Sequence, residues 1–474
     1  MILSKSLLRS TTLSCACAGL FCFALTAESQ DISVPNQTVP TAGSFQGSVP
    51  TGEVTSQPMD LSLDDAIQRG LKTNLGVILS GTQTTAARGQ RLTELQSLLP
   101  SVDFKASETV TQVDLPAQGL RIPGFPKIIG PFGYTDLRAS LVWSIANVNS
   151  LRTYLAAKHN FAASTLSAQD AQDLVVLTVG NAYLLVLADE AEVTSVEAQV
   201  ATAKVSLDQA AASHAAGTAP RLDELRARVD YQSLQQRLIV ARNAFEKNKL
   251  ALARTIGLPL AQAFTLSDKT PFALFDQLDV NAAIAQAHAN RKDLAALLEQ
   301  TKAAEEQRKA ATAERFPTLT VSGDYGVIGV NLGNSHGTVD ATGALKVPLF
   351  KEFELRGDAE IAQSQLDLAK AQLSDKGAQV DADIRDALLD IQSAQQQVEV
   401  ARSSVELANE ELKESQERYA SGVSDNLAVS QSQQSVAQAN DQYVISLYRH
   451  NVAKLSLARA LGAGSSYKNY LGGK

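Results

Sequence analysis

Cysteine is nearly absent from this sequence. The 474-residue chain has three, Cys15, Cys17 and Cys22, all close to its start. If that segment is removed, the remaining chain has no disulfide, no thiolate metal site and no cysteine nucleophile. Aromatic residues are 5% of the chain, with a single Trp, which argues against an aromatic-rich core and for helix-on-helix packing. Charged residues are 19% and hydrophobic ones 45%, too few and too many respectively for a mainly disordered chain. Basic excess is absent too. The net charge of -8 and a pI near 5.3 exclude a general nucleic-acid binder, which needs a basic surface to displace counterions from phosphate. There is no G-x-x-x-x-G-K-[ST] phosphate loop, no H-E-x-x-H and no Gly-x-Ser-x-Gly elbow. The expectation is a protein that is not an enzyme and carries no cofactor or metal.

The N-terminus reads as an address. Lys5 and Arg9 precede a mostly apolar run from Leu13 to Leu25, and Ala27-Glu28-Ser29 offers a small-x-small cleavage pattern. Residues 1–27 are therefore expected to be a secretory signal peptide. The cysteines fit a lipid-attachment signal poorly, since Ser14 stands three before Cys17 and Phe21 directly before Cys22. Residues 28–60, rich in Pro, Gln and Thr, read as an extended leader, and residues 463–474 as a flexible tail. No later stretch reads as long and apolar enough for a membrane helix.

The chain repeats itself. A shift of 217 positions carries Ile67 onto Ile284, Gln90-Arg91 onto Gln307-Arg308 and Pro100 onto Pro317. A shift of 205 carries Lys249-Leu250-Ala251-Leu252-Ala253-Arg254 onto Lys454-Leu455-Ser456-Leu457-Ala458-Arg459, Gly217 onto Gly422 and Gly257 onto Gly462. The change from 217 to 205 puts twelve extra residues between Pro100 and Trp143, where Pro116, Pro123, Pro126 and Pro131 suit an expanded loop. Two repeats follow, 61–268 and 269–462.

Within each repeat the dominant pattern is a heptad. Ile384, Ile391, Val398, Val405, Leu412 and Tyr419 recur every seven residues, with Ala387, Ala394, Ala401 and Ala408 three places after the first four. The first copy has Val179, Val186, Val193, Val200 and Leu207. Such an a/d seam keeps one stripe against a partner helix. The runs 147–216 and 352–421 lack proline, and each would span roughly 100 Å as one helix. Each ends at a turn, around Gly217 with Pro220 following, or around Gly422, and a second helix returns to Gly257 or Gly462. Shorter helical blocks, 75–99 and 293–316, stop at Pro100 and Pro317.

Between the helices lie alternating segments. Leu137, Ala139, Leu141, Trp143 and Ile145 alternate with mostly polar residues, as do Leu319, Val321, Gly323, Tyr325 and Val327, and Val339, Ala341, Gly343, Leu345 and Val347. Val102, Phe104 and Ala106 open a fourth series. Period-two alternation over this length, arranged as hairpins over about 101–146 and 318–349, by itself suits an ordinary half-buried sheet of a soluble protein better; behind a signal peptide and beside two helical hairpins it suits strands that cross a bilayer at a tilt. Four strands do not close a barrel, and an open edge in lipid leaves backbone groups unpaired, so insertion requires several chains to share one barrel.

This arrangement resembles the TolC-like outer-membrane efflux proteins of Gram-negative bacteria. The carriers are the duplication, the strand entries at Pro100 and Pro317, Val347-Pro348-Leu349-Phe350, and Arg418-Tyr419-Ala420-Ser421-Gly422-Val423, similar to the family's helix-tip motif. The resemblance implies a mostly α fold with membrane β structure. Duplicated long coiled-coil hairpins join four strands per chain in a 12-stranded barrel shared by a homotrimer. It implies a passive outer-membrane exit duct of a tripartite efflux or type I secretion system, reaching into the periplasm. Its partners would be outer-membrane lipid, a periplasmic adaptor (membrane fusion) protein and an inner-membrane pump, with no nucleic acid. Adaptor contacts carried over by motif fall at Gly217 and Thr218, and at Gly422 and Val423. The family's aperture carboxylates stand six and nine residues past the second tip glycine, where this chain has Ala428 and Gln431. Asp223 and Asp425 remain as candidate aperture charges, with helix-dipole complements the alternative reading. The competing reading of the whole chain is a secreted periplasmic coiled-coil structural or adaptor protein, which shares the heptads but has no use for the strands.

Overall fold

The computed structural model describes residues 45–268, 273–275, 278–424 and 426–471. The segment expected as a signal peptide, most of the expected leader and Asp425 lie outside the described residues. From the N-terminus the elements are β1 (Met59–Leu61), α1 (Leu63–Thr73), α2 (Leu75–Gln96), β2 (Ser101–Asp114), β3 (Ile128–Ala146), α3 (Val148–Ala215), α4 (Arg221–Thr255) and β4 (Phe264–Leu266). The second repeat supplies α5 (Val280–Asn290), α6 (Lys292–Ala313), β5 (Thr318–Gly329), β6 (Ser335–Lys346), α7 (Glu352–Ala420), α8 (Asn426–Ala460) and the short α9 (Lys468–Leu471).

The two long helices run unbroken, as the proline-free stretches predict: α3 has 68 residues and α7 has 69. The second-copy seam is buried at Ile384, Ala387, Ile391, Ala394, Val398, Ala401 and Ala408, and half-buried at Val405 and Leu412. In the first copy the lower seam differs from expectation. Val196, Ala203 and Ala210 are buried, while Val193, Val200 and Leu207 are half-buried. The small residues at the second seam position set the close approach, and the larger ones flank it.

The duplication reappears as two cores. Leu61, Ile67, Val175, Val179, Leu252 and Ile256 pack in one cluster, and Val380, Ile384, Leu457 and Leu461 in the other, at positions offset by 205 from the last four of the first set. Gly180 lets α3 and α8 touch there, since a Cβ on it would lie 2.6 Å from Leu455 Cδ1. The packing also corrects two expectations. An 18-residue window of α3 is apolar enough to cross a membrane, but more than half of it is buried inside the fold, as part of a core. The described part of the expected flexible tail, residues 463–471, folds back instead. Tyr467 is buried, and its hydroxyl donates to Asp64 Oδ1 at 2.7 Å while Lys468 pairs with the same carboxylate at 2.9 Å. A parallel pair, β1 with β4, ties the end of the leader to the end of the first repeat.

The four long strands form one antiparallel sheet in the order β2-β3-β5-β6, so the two hairpins join through β3 and β5. The helices attach at one end of the sheet and the hairpin turns lie at the other.

Candidate functional site

The register turns the sequence alternation into two faces. Phe104, Ala139, Tyr325 and Val339 stand opposite one another across all four strands, as do Val102, Leu141, Gly323 and Ala341. These rows make an apolar face, on which Phe104, Tyr325 and Val339 are exposed. The opposite face carries the row Asp103, Ser140, Asp324 and Asp340 and the row Lys105, Arg138, Gly326 and Thr338. Arg138 is paired there with Asp324 and with Asp136, and donates to Thr338 Oγ1 at 3.2 Å. One face suits hydrocarbon and the other a water-filled passage, which is the division a transmembrane barrel needs.

At the far end of the long helices the two tips are built alike. At the first, Thr218 N–H donates to Ser213 C=O at 3.0 Å and Gly217 N–H to His214 C=O at 2.9 Å. At the second, Val423 N–H donates to Arg418 C=O and Gly422 N–H to Tyr419 C=O, both at 3.0 Å. This is the Schellman closure, which satisfies the last helical carbonyls and needs a left-handed residue. Both glycines supply it with φ of 73°, and a Cβ on either would meet nothing within 4 Å. The four tip residues singled out in the sequence are thus on the outside of the turns, with Val423 70% exposed.

The candidate aperture charges fare differently. Asp425 lies outside the described residues. Asp223 stands in the first turn of α4, as the dipole reading expects, but its side chain is buried against the second tip. Asn426, buried at the start of α8, donates Nδ2 to the Asp223 carbonyl at 3.4 Å. Burial raises the Tyr419 phenol above its ordinary pKa, and the nearby Asp223 carboxylate adds to the shift. A groove of about 1270 Å³ runs between the tips, lined by residues including Gln209, Thr218, Asp223, Lys413, Tyr419 and Val423.

Asn426 begins a seam that sequence reading missed. Ser430 Oγ donates to Asp230 Oδ2 at 2.6 Å, Gln433 Nε2 to Ser206 Oγ at 2.8 Å, and Asp441 pairs with Arg237, which also holds Glu192 at 2.8 Å. These α8 residues recur at helical spacing on the face turned to the first repeat. The available signal was their period, but polar residues at that spacing read as a solvated face. Among the described residues no cluster of three or more His, Cys, Asp or Glu side chains is placed to hold a metal ion.

An amphipathic strand sheet at one end of two long helical hairpins defines an outer-membrane channel subunit. The chain belongs to the outer membrane efflux protein family, whose model matches residues 82–258 and 283–463. Two curated relatives from Pseudomonas putida, a probable efflux pump outer membrane protein (SepC) and a toluene efflux pump outer membrane protein (TtgF), are each 24% identical over 413 residues, covering 85% of this chain and 84% of theirs. The fold is similar to that of the outer membrane protein VceC of Vibrio cholerae (TM-score 0.73, 21% identity, 84% of this chain and 96% of that one). It is also similar to the CmeC outer membrane channel of Campylobacter jejuni (TM-score 0.75, 18% identity, 92% and 98%). The protein is an outer-membrane exit duct for efflux, and the reading as a secreted spacer or adaptor is set aside.

Proposed function

We propose that three copies pool their sheets into one 12-stranded barrel, making a passive conduit from the periplasm through the outer membrane. An inner-membrane pump supplies the energy, and a periplasmic adaptor engages the helical tips at Gly217, Thr218, Gly422 and Val423. The observation that carries this reading is the sheet. Among the described residues β2 and β6 each have a single strand neighbour, while the register lines up a continuous apolar face between them. In lipid those free edges cost several kcal/mol per unpaired backbone group unless another strand covers them. The order is compatible with closure, because β6 of one copy would run antiparallel to β2 of the next.

The exposed turns support the adaptor contact. A tip with open space around both glycines admits close approach of a second backbone. The test is to place Arg at Leu141 and at Val321, on the apolar face. Each substitution costs about 2–4 kcal/mol per chain if it meets the bilayer midplane. The expected result is loss of heat-resistant oligomer from detergent-extracted outer membranes and loss of conductance in planar bilayers. Unchanged assembly and conductance in both variants would overturn the barrel.

A further inference from the structure

The two hairpins of the sheet are unequal, and the difference lies at the end away from the helices. The last β3–β5 pair is Thr135 with Gly329, and β5–β6 closes there through Ser335. The segment Ile128–Tyr134 of β3 continues past that point, still paired with β2 up to Ile128 opposite Asp114. At about 3.4 Å per residue this two-stranded ribbon, with its 115–127 loop, extends roughly 20 Å beyond the rest of the sheet. Because β5 and β6 already have the length needed to cross the bilayer, the ribbon stands outside it, on the outer surface.

Its composition is unusual for a segment in water. Leu120, Ile122, Phe125 and Ile128 are all exposed, Phe125 at 60%. Between Asp114 and Asp136 there is no carboxylate, and the charges are Arg121 and Lys127. Gly119 and Gly124 have φ of 82° and 87°, so the loop turns sharply at both places and presents these side chains along a short path.

We propose that this ribbon lies on the phosphate-bearing outer leaflet of the membrane that the barrel spans. Arg121 and Lys127 meet lipid phosphates, and Leu120, Ile122 and Phe125 enter the boundary with the acyl chains. The 115–127 loop carries only cationic charge, and with the single carboxylate Asp114 at its base the ribbon keeps a net positive charge, complementary to an anionic lipid surface. The alternative cover is the same ribbon from the other two copies, meeting over the mouth of the barrel. Charge decides against it, since that arrangement gathers the Arg121 and Lys127 cations of all three copies around one axis, with only Asp114 of each ribbon to offset them.

The inference rests on the trimeric barrel, and its test separates the two. With Cys15, Cys17 and Cys22 in the expected signal peptide, one introduced cysteine gives a unique labelling site. Phe125→Cys, at the loop, and Val339→Cys, on the apolar face of β6, are labelled with an environment-sensitive fluorophore in the full-length oligomer. The oligomer is placed in nanodiscs of phosphatidylcholine alone or mixed with phosphatidylglycerol, each with nitroxide-labelled lipid as quencher. The expected result is lipid quenching at Val339→Cys in both discs, and blue-shifted, lipid-quenched emission at Phe125→Cys that strengthens with phosphatidylglycerol. Adding Arg121→Gln and Lys127→Gln should lower the membrane-bound fraction of the loop by about thirtyfold relative to the free fraction. Lipid quenching at Val339→Cys with water-like emission at Phe125→Cys overturns the ribbon proposal alone. Equal quenching of Phe125→Cys in the two discs overturns it too, as does quenching by a nitroxide on residue 125 of other protomers in place of lipid. No lipid quenching at Val339→Cys overturns the barrel itself.

Discussion

Arg237 on α4 and Asp441 on α8 are joined by an ion pair that links the first helical hairpin to the second. The same guanidinium holds Glu192 of α3 at 2.8 Å, so one side chain ties three helices. The apolar seams hold each hairpin together; between the hairpins, the apolar contact of Leu455 on Gly180 lies toward the sheet and this polar seam runs on toward the tips. Polar seams separate more readily because water replaces their bonds. Removing the cation leaves Glu192 and Asp441 facing each other. Burial already raises the pKa of Glu192, Asp441 adds to that, and Arg237 opposes it. Arg237→Ala is therefore expected to loosen the hairpins and raise the conductance of the reconstituted duct. Adding Asp441→Asn should reverse part of that rise, because it removes the carboxylate that Glu192 faces once the guanidinium is gone. Conductance unchanged in Arg237→Ala would remove the clasp from the account.

A second charge cluster fixes the α5–α6 junction and predicts an acid limb. Arg291, buried between the helices, pairs with Asp293 at 2.7 Å and Asp383 at 2.6 Å, and Lys376 reaches Asp293 at 3.0 Å. Burial pushes the Asp293 carboxyl up, but Arg291 and Lys376 together outweigh it and hold it well below its ordinary value of 3.8. A carboxylate depressed in the folded state adds stability above its unfolded pKa and loses it as pH falls below that value. Urea midpoints should therefore fall as pH is lowered from neutrality to about 3, and Asp293→Asn should flatten that limb. A limb of equal steepness in the variant would assign acid sensitivity to other groups.

The same cluster bears on Arg291 itself. Arg291→Ala leaves the half-buried Asp293 with Lys376 as its remaining partner, and breaking a buried pair from one side costs about 3–5 kcal/mol. The expected outcome is a large drop in the unfolding midpoint at neutral pH with the helical content retained before the transition. A shift within the error of the wild-type midpoint contradicts the burial.

How much of this could be read from the sequence depends on how local each feature is. The heptad at Ile384, Ile391 and Val398 is a period along one helix, and it was legible. So were the turns at Gly217 and Gly422, because a left-handed C-terminal residue is a local demand. The strand faces were legible as alternation, but the pairing of Ala139 with Tyr325 across the repeats was not, because nothing local sets which hairpins meet. Asp223 reads as a candidate aperture charge or a helix-start charge, and only the packing of the second tip makes it buried. In the sequence Lys454 stands out only as part of a repeated hexapeptide. It is in fact buried, with Nζ donating to the Ala273 carbonyl at 2.5 Å, and burial lowers its pKa to about 8. The fold-back of Tyr467 onto Asp64 pairs residues from opposite ends of the chain, which no window of sequence reveals.

The seam itself can be tested by contrast. Ile391 is buried between α7 and its neighbours, while Leu389, two places earlier, is 63% exposed in the single chain. Ile391→Ala should cost about 2–5 kcal/mol through lost burial and the cavity left behind. Ala394→Leu should cost about 1–3 kcal/mol by overpacking the small seam position. Leu389→Ala, by comparison, should leave the unfolding midpoint of unassembled chains nearly unchanged. Equal losses for Ile391→Ala and Leu389→Ala in such chains would mean that the heptad does not define the core.

The tips need a pair of variants, because the glycine conformation and the space around it act separately. At Gly422 the φ of 73° penalises any side chain by about 1–2 kcal/mol. That penalty applies to Gly422→Ala and Gly422→Trp alike, since a Cβ meets nothing within 4 Å in the isolated chain. Only the indole adds bulk on the outer surface of the turn. If an adaptor docks there, Gly422→Trp abolishes export, Gly422→Ala retains most of it, and both assemble as the wild type does on unheated gels. Parallel losses in the two variants would trace the defect to the strained turn, and normal export by Gly422→Trp would place the adaptor elsewhere on the duct.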